Sequence, residues 1–165
     1  MTAGTSTAQL SGPRVTAVLD AAGWSAVKRD IGPGQSTLDA DKVSATTNVL
    51  TYLQLVETSE FGALFIGRQG ALTFRDRSEL QAFTTGVTFG PTGIPYRDIS
   101  VVWGTEEMKN TVGITFTAGG TVAGTALAQD TAAQAAYGVM DVNYATIMSS
   151  SVEASAMASW LVGLY

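Results

Sequence analysis

Two alternating runs separated by a glycine pair constrain this chain most. Thr111–Thr117 sets Val112, Ile114 and Phe116 on one face, and Thr121–Ala128 returns with Val122 and Leu127. Gly119-Gly120 lies between them, as a tight hairpin turn requires. A second hairpin is written into Ala63-Leu64-Phe65-Ile66 and Ala71-Leu72-Thr73-Phe74, joined by Gly67-Arg68-Gln69-Gly70. Tyr96–Trp103 alternates in the same way, and Val139–Ile147 is a further strand candidate.

Helical spacing fills the intervals. Val15, Val18, Leu19 and Ala22 lie on one face, with Ser11 or Gly12 as cap, Pro13 in the first turn and Gly23 as stop. Trp24 is expected to pack back on that helix end. Ile31-Gly32-Pro33-Gly34 is a turn. A second helix is expected over Asp41–Glu57, capped by Asp39 or Asp41, with Val43, Leu50, Leu53 and Val56 as its stripe. Ala45-Thr46-Thr47 weakens it, so packing has to hold it. Ser78–Gly93 is less regular. Thr131–Gln134 fits a capping box for a short helix ending near Tyr137-Gly138. Ser150–Glu153 is a better one, opening a last helix that carries Val152, Ala156, Met157, Trp160, Leu161 and Leu164. Helices interleaved with hairpins predict an α+β fold, a partial β-barrel or antiparallel sheet with packed helices.

At 165 residues the chain has the size of one domain and needs no metal or disulfide staple. Residues 1–10 are small and polar and read as a flexible lead-in. Residues 11–165 form a single unit, a helical and hairpin part over 11–77 and barrel-like strands with a terminal helix over 78–165. The N-terminal stretch lacks the basic and apolar regions of a secretory signal. No run approaches the ~18 apolar residues that span a bilayer.

The composition narrows the chemistry. With no cysteine and no histidine, Ser/His/Asp and Cys/His nucleophiles and His- or Cys-ligated metal sites are excluded. A net charge of −5 opposes a dedicated nucleic-acid site. Only 14% of residues are charged, and Ala, Thr, Gly and Ser are abundant, which suits contact with protein neighbours. Glu106-Glu107 are adjacent and do not face each other on a strand or a helix. Arg97-Asp98 and Arg75-Asp76-Arg77 read as solvated ion pairs, contributing ~0–1 kcal/mol each. Gly119–Gly124 lacks the Gly-Lys-Ser/Thr of a phosphate loop, and Asp39 and Asp41 lack the remainder of a calcium loop. Trp24, Trp103 and Trp160 are far apart in sequence and read as core residues. No catalytic, cofactor-binding or metal-ligating residue is assigned.

Four stretches resemble one family: Arg14–Trp24; Tyr52–Glu57 leading to Leu64-Phe65-Ile66; Gly70-Ala71-Leu72-Thr73-Phe74-Arg75-Asp76-Arg77; and Tyr137-Gly138 through Ala154–Leu161. In this order they resemble the minor tail proteins of siphophages infecting actinobacteria, in the tail-hub (baseplate hub) family. The resemblance covers nearly everything after Leu10. It implies a trimeric ring that closes the tail tube and joins it to the tip, built from two β-barrels with helical insertions. This chain would supply part of such a protein, without the preceding barrel. The implied partners are other phage tail proteins (distal tail ring, tape measure and tip proteins) and further copies of the chain, a trimer favoured. The implied place is the virion tail. It carries over no catalytic residue and no cofactor. A carbohydrate- or receptor-binding module is the competing function, and a carboxylate-dependent glycoside hydrolase a third.

Overall fold

The computed structural model describes residues 4–43, 46–82, 90, 94 and 107–164. Strands β1 (Gly4–Ser6) and β2 (Gln9–Leu10) lead into helix α1 (Ser11–Ala21). A 3-10 turn at Ala26–Lys28 precedes β3 (Arg29–Ile31), β4 (Thr37–Leu38) and β5 (Asp41–Val43). Helix α2 (Val49–Glu60) is followed by β6 (Ala63–Ile66), β7 (Leu72–Arg75) and the short helix α3 (Arg77–Gln81). The second half runs β8 (Thr111–Ala118), β9 (Thr121–Gln129), α4 (Thr131–Tyr137), β10 (Asp141–Tyr144) and α5 (Ser151–Val162).

Both expected hairpins form. In the first, Leu64 of β6 faces Phe74 of β7 in antiparallel register; in the second, Ile114 of β8 faces Ala126 of β9. The chain is α+β, but among the described residues its strands form small separate sheets, none closed into a barrel. In the two three-stranded sheets the third strand pairs in parallel: β3 joins β7, and β10 joins β8 after the α4 crossover, giving orders β3-β7-β6 and β10-β8-β9. Parallel pairing needs a crossover connection, and α4 lies in the one that leads to β10. Within the segment read as a lead-in, two short strands pair with later ones. Thr5 lies opposite Lys42 in β5, and Gln9 opposite Leu38 in β4. The strand expected at Tyr96–Trp103 lies outside the described residues, as does most of Ser78–Gly93; α3 occupies the start of the latter.

Two apolar clusters hold the fold. In the first, Val15, Val18 and Leu19 of α1 meet Leu53 and Val56 of α2 over Leu72 and Phe74 of β7. The first hairpin thus packs on the second helix, but that helix is shifted from its expected span. It begins at Val49 under an Asn48 cap whose Oδ1 accepts from the Thr51 N–H, while Asp41–Val43 is strand. It also runs three residues past Glu57, which turns Tyr52, Leu53, Val56, Ser59 and Glu60 inward and leaves Leu50 57% exposed. Ala22 is exposed, and Trp24 is not core: it is half-exposed, its Nε1 donating to the Lys28 carbonyl.

In the second cluster, Val112 and Ile114 of β8 pack on Ala154, Met157, Ala158 and Leu161 of α5, with Trp160 partly buried beside them. Each fully buried Leu, Ile or Met contributes about 1.5–3 kcal/mol. Of the residues expected on this helix, Val152 and Ala156 are exposed, as is Leu164, which lies beyond its end. The small residues Ala154 and Ala158 let the helix sit close to the sheet instead.

Candidate functional site

The polar centre of the molecule is the loop after β3. Four consecutive backbone N–H groups, from Gly34 to Thr37, donate to three carboxylates brought by three different elements. Gly34 donates to Asp76 Oδ2 (3.1 Å), Gln35 and Ser36 to Glu60 Oε2 (3.0 and 2.8 Å), and Thr37 to Glu153 Oε2 (3.1 Å). Such a run of amides is a ready anion receptor, and here the anions are the chain's own. Glu60 is fully buried at the C-terminal end of α2. Its Oε2 also accepts from Ser11 Oγ at 2.6 Å, and its Oε1 lies 3.6 Å from Arg77 Nη1, an ion pair longer than a hydrogen bond. Arg77 Nη1 donates in addition to Ser36 Oγ at 2.7 Å.

The backbone fits this convergence only with glycine. A Cβ on Gly12 would lie 2.1 Å from the Gly32 carbonyl oxygen, and one on Gly34, at φ +76°, would lie 2.0 Å from Ser11 Oγ. The start of α1 is thereby pressed against the loop, and Ser11 N–H donates to the Ser36 carbonyl.

Asp76 departs from the expected solvated pair. It is fully buried and caps α3, accepting from Ser78 Oγ (2.6 Å) and the Glu79 N–H (3.0 Å). Burial pushes its pKa up, but these hydrogen bonds, with those from Gln35 and Gly34, outweigh it and hold the carboxyl below the usual range. The folded state thus binds its proton less readily than the unfolded chain does. The stabilisation is present above the ordinary aspartate range near pH 4 and is lost as pH falls through the lowered folded value. Asp76→Asn is expected to flatten the acid limb of the stability–pH curve, read by urea unfolding at stepped pH; an unchanged limb contradicts the assignment. The flanking arginines go elsewhere: Arg75 pairs with Asp30 and Glu79 at the surface, Arg77 with Glu60.

Two capping residues do different work from that expected. Ser150 Oγ accepts the Glu153 N–H, as the capping box predicts, but the Glu153 carboxylate reaches Thr37, taking its N–H and its Oγ1 (3.1 Å each). At α4 the cap is Asp130, not Thr131, and Gln134 donates to Thr111 Oγ1. Glu153 therefore joins the second half of the chain to the first. Asp39 does so too, accepting from the Gly120 N–H in the β8–β9 turn through Oδ2. Arg14 is buried beneath it, its guanidinium donating to Tyr52 Oη (2.7 Å), the Asp39 carbonyl (2.7 Å) and the Thr7 carbonyl (3.0 Å). Burial raises the Tyr52 pKa, so its hydroxyl stays protonated.

A cleft of about 260 Å³ opens beside this network, lined by Arg77, Gln81, Glu153, Ala156, Met157 and Trp160. Its charged groups are already engaged with the loop. Glu107 is exposed in a turn, while Glu106, Arg97, Asp98 and Trp103 lie outside the described residues. Gly119 and Gly120, at φ +61° and +79°, form the hairpin turn expected of them. Among the described residues no group of three or more acidic side chains is placed to hold a metal ion. No helix among them is long and apolar enough to cross a membrane. No protein-family model matches this chain, and no curated protein matches its sequence.

The surface has the opposite character to this interior. Val27, Ile66, Val122, Leu127, Val139, Val152 and Leu164 are each more than half exposed. Sequence reasoning missed Glu60, Glu153 and Arg14 as internal anchors. The only local signal was the pair of glycines, Gly32 and Gly34, before Gln35-Ser36.

Proposed function

We propose that this chain is a non-catalytic structural subunit of a bacteriophage tail, in the tip or hub, that works by assembling with other tail proteins. The observation that carries the assembly reading is a sparsely charged chain on which several large aliphatic side chains are exposed. Glu60, Asp76, Glu153 and Arg14 are engaged in fastening the loop and the two halves together, and large aliphatic side chains stand in solvent. A sparsely charged surface of this kind favours association. The tail assignment rests on the resemblance of the four sequence stretches to tail-hub proteins. On that reading the partners are the distal tail ring, the tape measure, the tip proteins and further copies of the chain, a trimer favoured. The carboxylates of Glu60, Asp76 and Glu153 support a structural role, since each already accepts internal donors.

One observation favours a second reading, a carbohydrate-binding module. Trp160 borders the cleft together with Arg77, Gln81 and Glu153, and an indole beside planar polar groups suits a sugar ring. It ranks lower because Arg77 and Glu153 are already held by Ser36 and Thr37.

Immunogold electron microscopy of virions with an antibody to this chain tests the proposal. Label at the distal end of the tail is expected; absence of label from virions, or label confined to the head, would overturn it.

A further inference from the structure

The cleft of about 260 Å³ lies where the two halves of the chain meet. One wall is α3, with Arg77 and Gln81; the other is α5, with Glu153, Ala156, Met157 and Trp160. Small-molecule sites concentrate in clefts between separately packed units. Both walls are fixed through adjacent residues of one loop. Arg77 Nη1 donates to Ser36 Oγ at 2.7 Å, and Glu153 accepts from the N–H and Oγ1 of Thr37 at 3.1 Å each.

That engagement orients the two charged groups without saturating them. Arg77 commits Nη1 to Ser36 and to the Glu60 carbonyl; among the described residues its Nε and Nη2 have no acceptor. Each Glu153 oxygen accepts one hydrogen bond from Thr37 and has a second lone pair to offer. Trp160 is partly buried, and among the described residues its indole N–H has no acceptor. The cleft therefore offers unused donors, unused acceptors, an aromatic surface and the apolar Ala156 and Met157.

Charge decides which ligand suits it. Arg77 and Glu153 are of opposite sign, and the buried Glu60 lies 3.6 Å from Arg77. An anion would compete with Glu60 for the guanidinium and face Glu153. A cation would face Arg77. A neutral molecule with an apolar face and adjacent groups that both donate and accept meets neither penalty. The volume is below the ~300–1,000 Å³ of clefts that enclose a drug-sized ligand, so one ring fits and an extended chain does not.

We propose that the cleft between α3 and α5 binds one neutral pyranose ring with adjacent free hydroxyls. The inference rests on the carbohydrate-binding reading, and it is compatible with a structural place in a tail. The indole of Trp160 takes the C–H face of the ring. Arg77 donates to one hydroxyl oxygen, and Glu153 accepts from the neighbouring hydroxyl.

Titration of the full chain with the methyl glycosides of glucose, mannose and galactose tests this, read from the Trp160 indole N–H signal in nitrogen-15 NMR spectra. At least one of the three should move that signal saturably while the Trp24 signal stays in place. Methyl glucuronide, which adds a carboxylate, and glucosamine, which adds an ammonium group, should bind about tenfold more weakly than that glycoside. Ala156→Trp fills the cleft from an exposed position and keeps Arg77, Glu153 and Trp160. It should abolish the shift with an unchanged melting temperature. Equal or tighter binding of glucuronide or glucosamine overturns the neutral-ring assignment and leaves the carbohydrate reading standing. A shift that survives in Ala156→Trp overturns the placement in this cleft. A Trp160 signal unmoved by every sugar overturns the carbohydrate reading as well, and gold labelling of virions judges the tail reading separately.

Discussion

Glu60→Ala is expected to lower the unfolding free energy by about 3–5 kcal/mol, the usual cost of removing one partner of a buried charged pair. The carboxylate has no solvent exposure and accepts from Ser11 Oγ, Gln35 N–H and Ser36 N–H, with Arg77 at 3.6 Å. Truncation leaves those three donors without their acceptor and the Arg77 guanidinium without its counter-charge. Small domains are stable by only ~5–15 kcal/mol, so the loss is a large fraction of the whole. Glu60→Gln keeps an acceptor oxygen for the amides and gives up the charge facing Arg77. Its cost should be smaller, about 1–3 kcal/mol. Urea unfolding of both variants is the check. Equal and small losses would mean that the loop is held by its backbone alone.

The second large effect is expected at Arg14. Its guanidinium ties three separate segments: the Thr7 carbonyl between β1 and β2, the Asp39 carbonyl between β4 and β5, and the Tyr52 hydroxyl on α2. Arg14→Ala leaves the Tyr52 and Asp39 acceptors buried without a donor and opens a void beside them, for a loss of about 3–5 kcal/mol. Arg14→Lys retains a charge but cannot present a fork to all three, so it should recover less than half of the loss. The local signature is distinctive. Residues 4–10 should exchange their amide hydrogens quickly in Arg14→Ala while β8 and β9 stay protected. Uniform loosening of the whole chain would point to a general packing defect instead.

Both effects arise at residues whose importance is hard to read in sequence. The hairpins were legible because local chemistry specifies them: alternation on both sides of Gly119-Gly120, and a short glycine-bearing loop before Ala71. Ser150 as a cap was legible for the same reason. The start of α2 was not, since Asp39, Asp41 and Asn48 all satisfy the local rule for a cap. Tertiary pairing of Asp41–Val43 with Gly4–Ser6 decided among them. β3 and β10 are too short to show a period, and their parallel partners come from distant sequence. Among the described residues these two strands complete three-stranded sheets that do not close into a barrel.

The candidate site was less legible still. That three carboxylates meet one loop depends on contacts spanning 24 residues from Ser36 to Glu60 and 116 from Thr37 to Glu153. No local pattern encodes such distances. A charge before Phe61-Gly62 looks like any exposed helix end until the chain turns it inward. Arg14, Asp39, Glu60 and Asp76 are engaged inside the fold while several large aliphatic side chains are exposed, which links the interior network to the proposed role in assembly.

Light scattering of the wild-type chain across a concentration series tests that link most directly. The account predicts a weight-average mass that rises above that of the 17.1 kDa monomer with concentration, and that falls back when exposed aliphatic positions such as Leu127 carry charge. A mass fixed at the monomer value at every concentration, in the wild type and the charged variants alike, would contradict it.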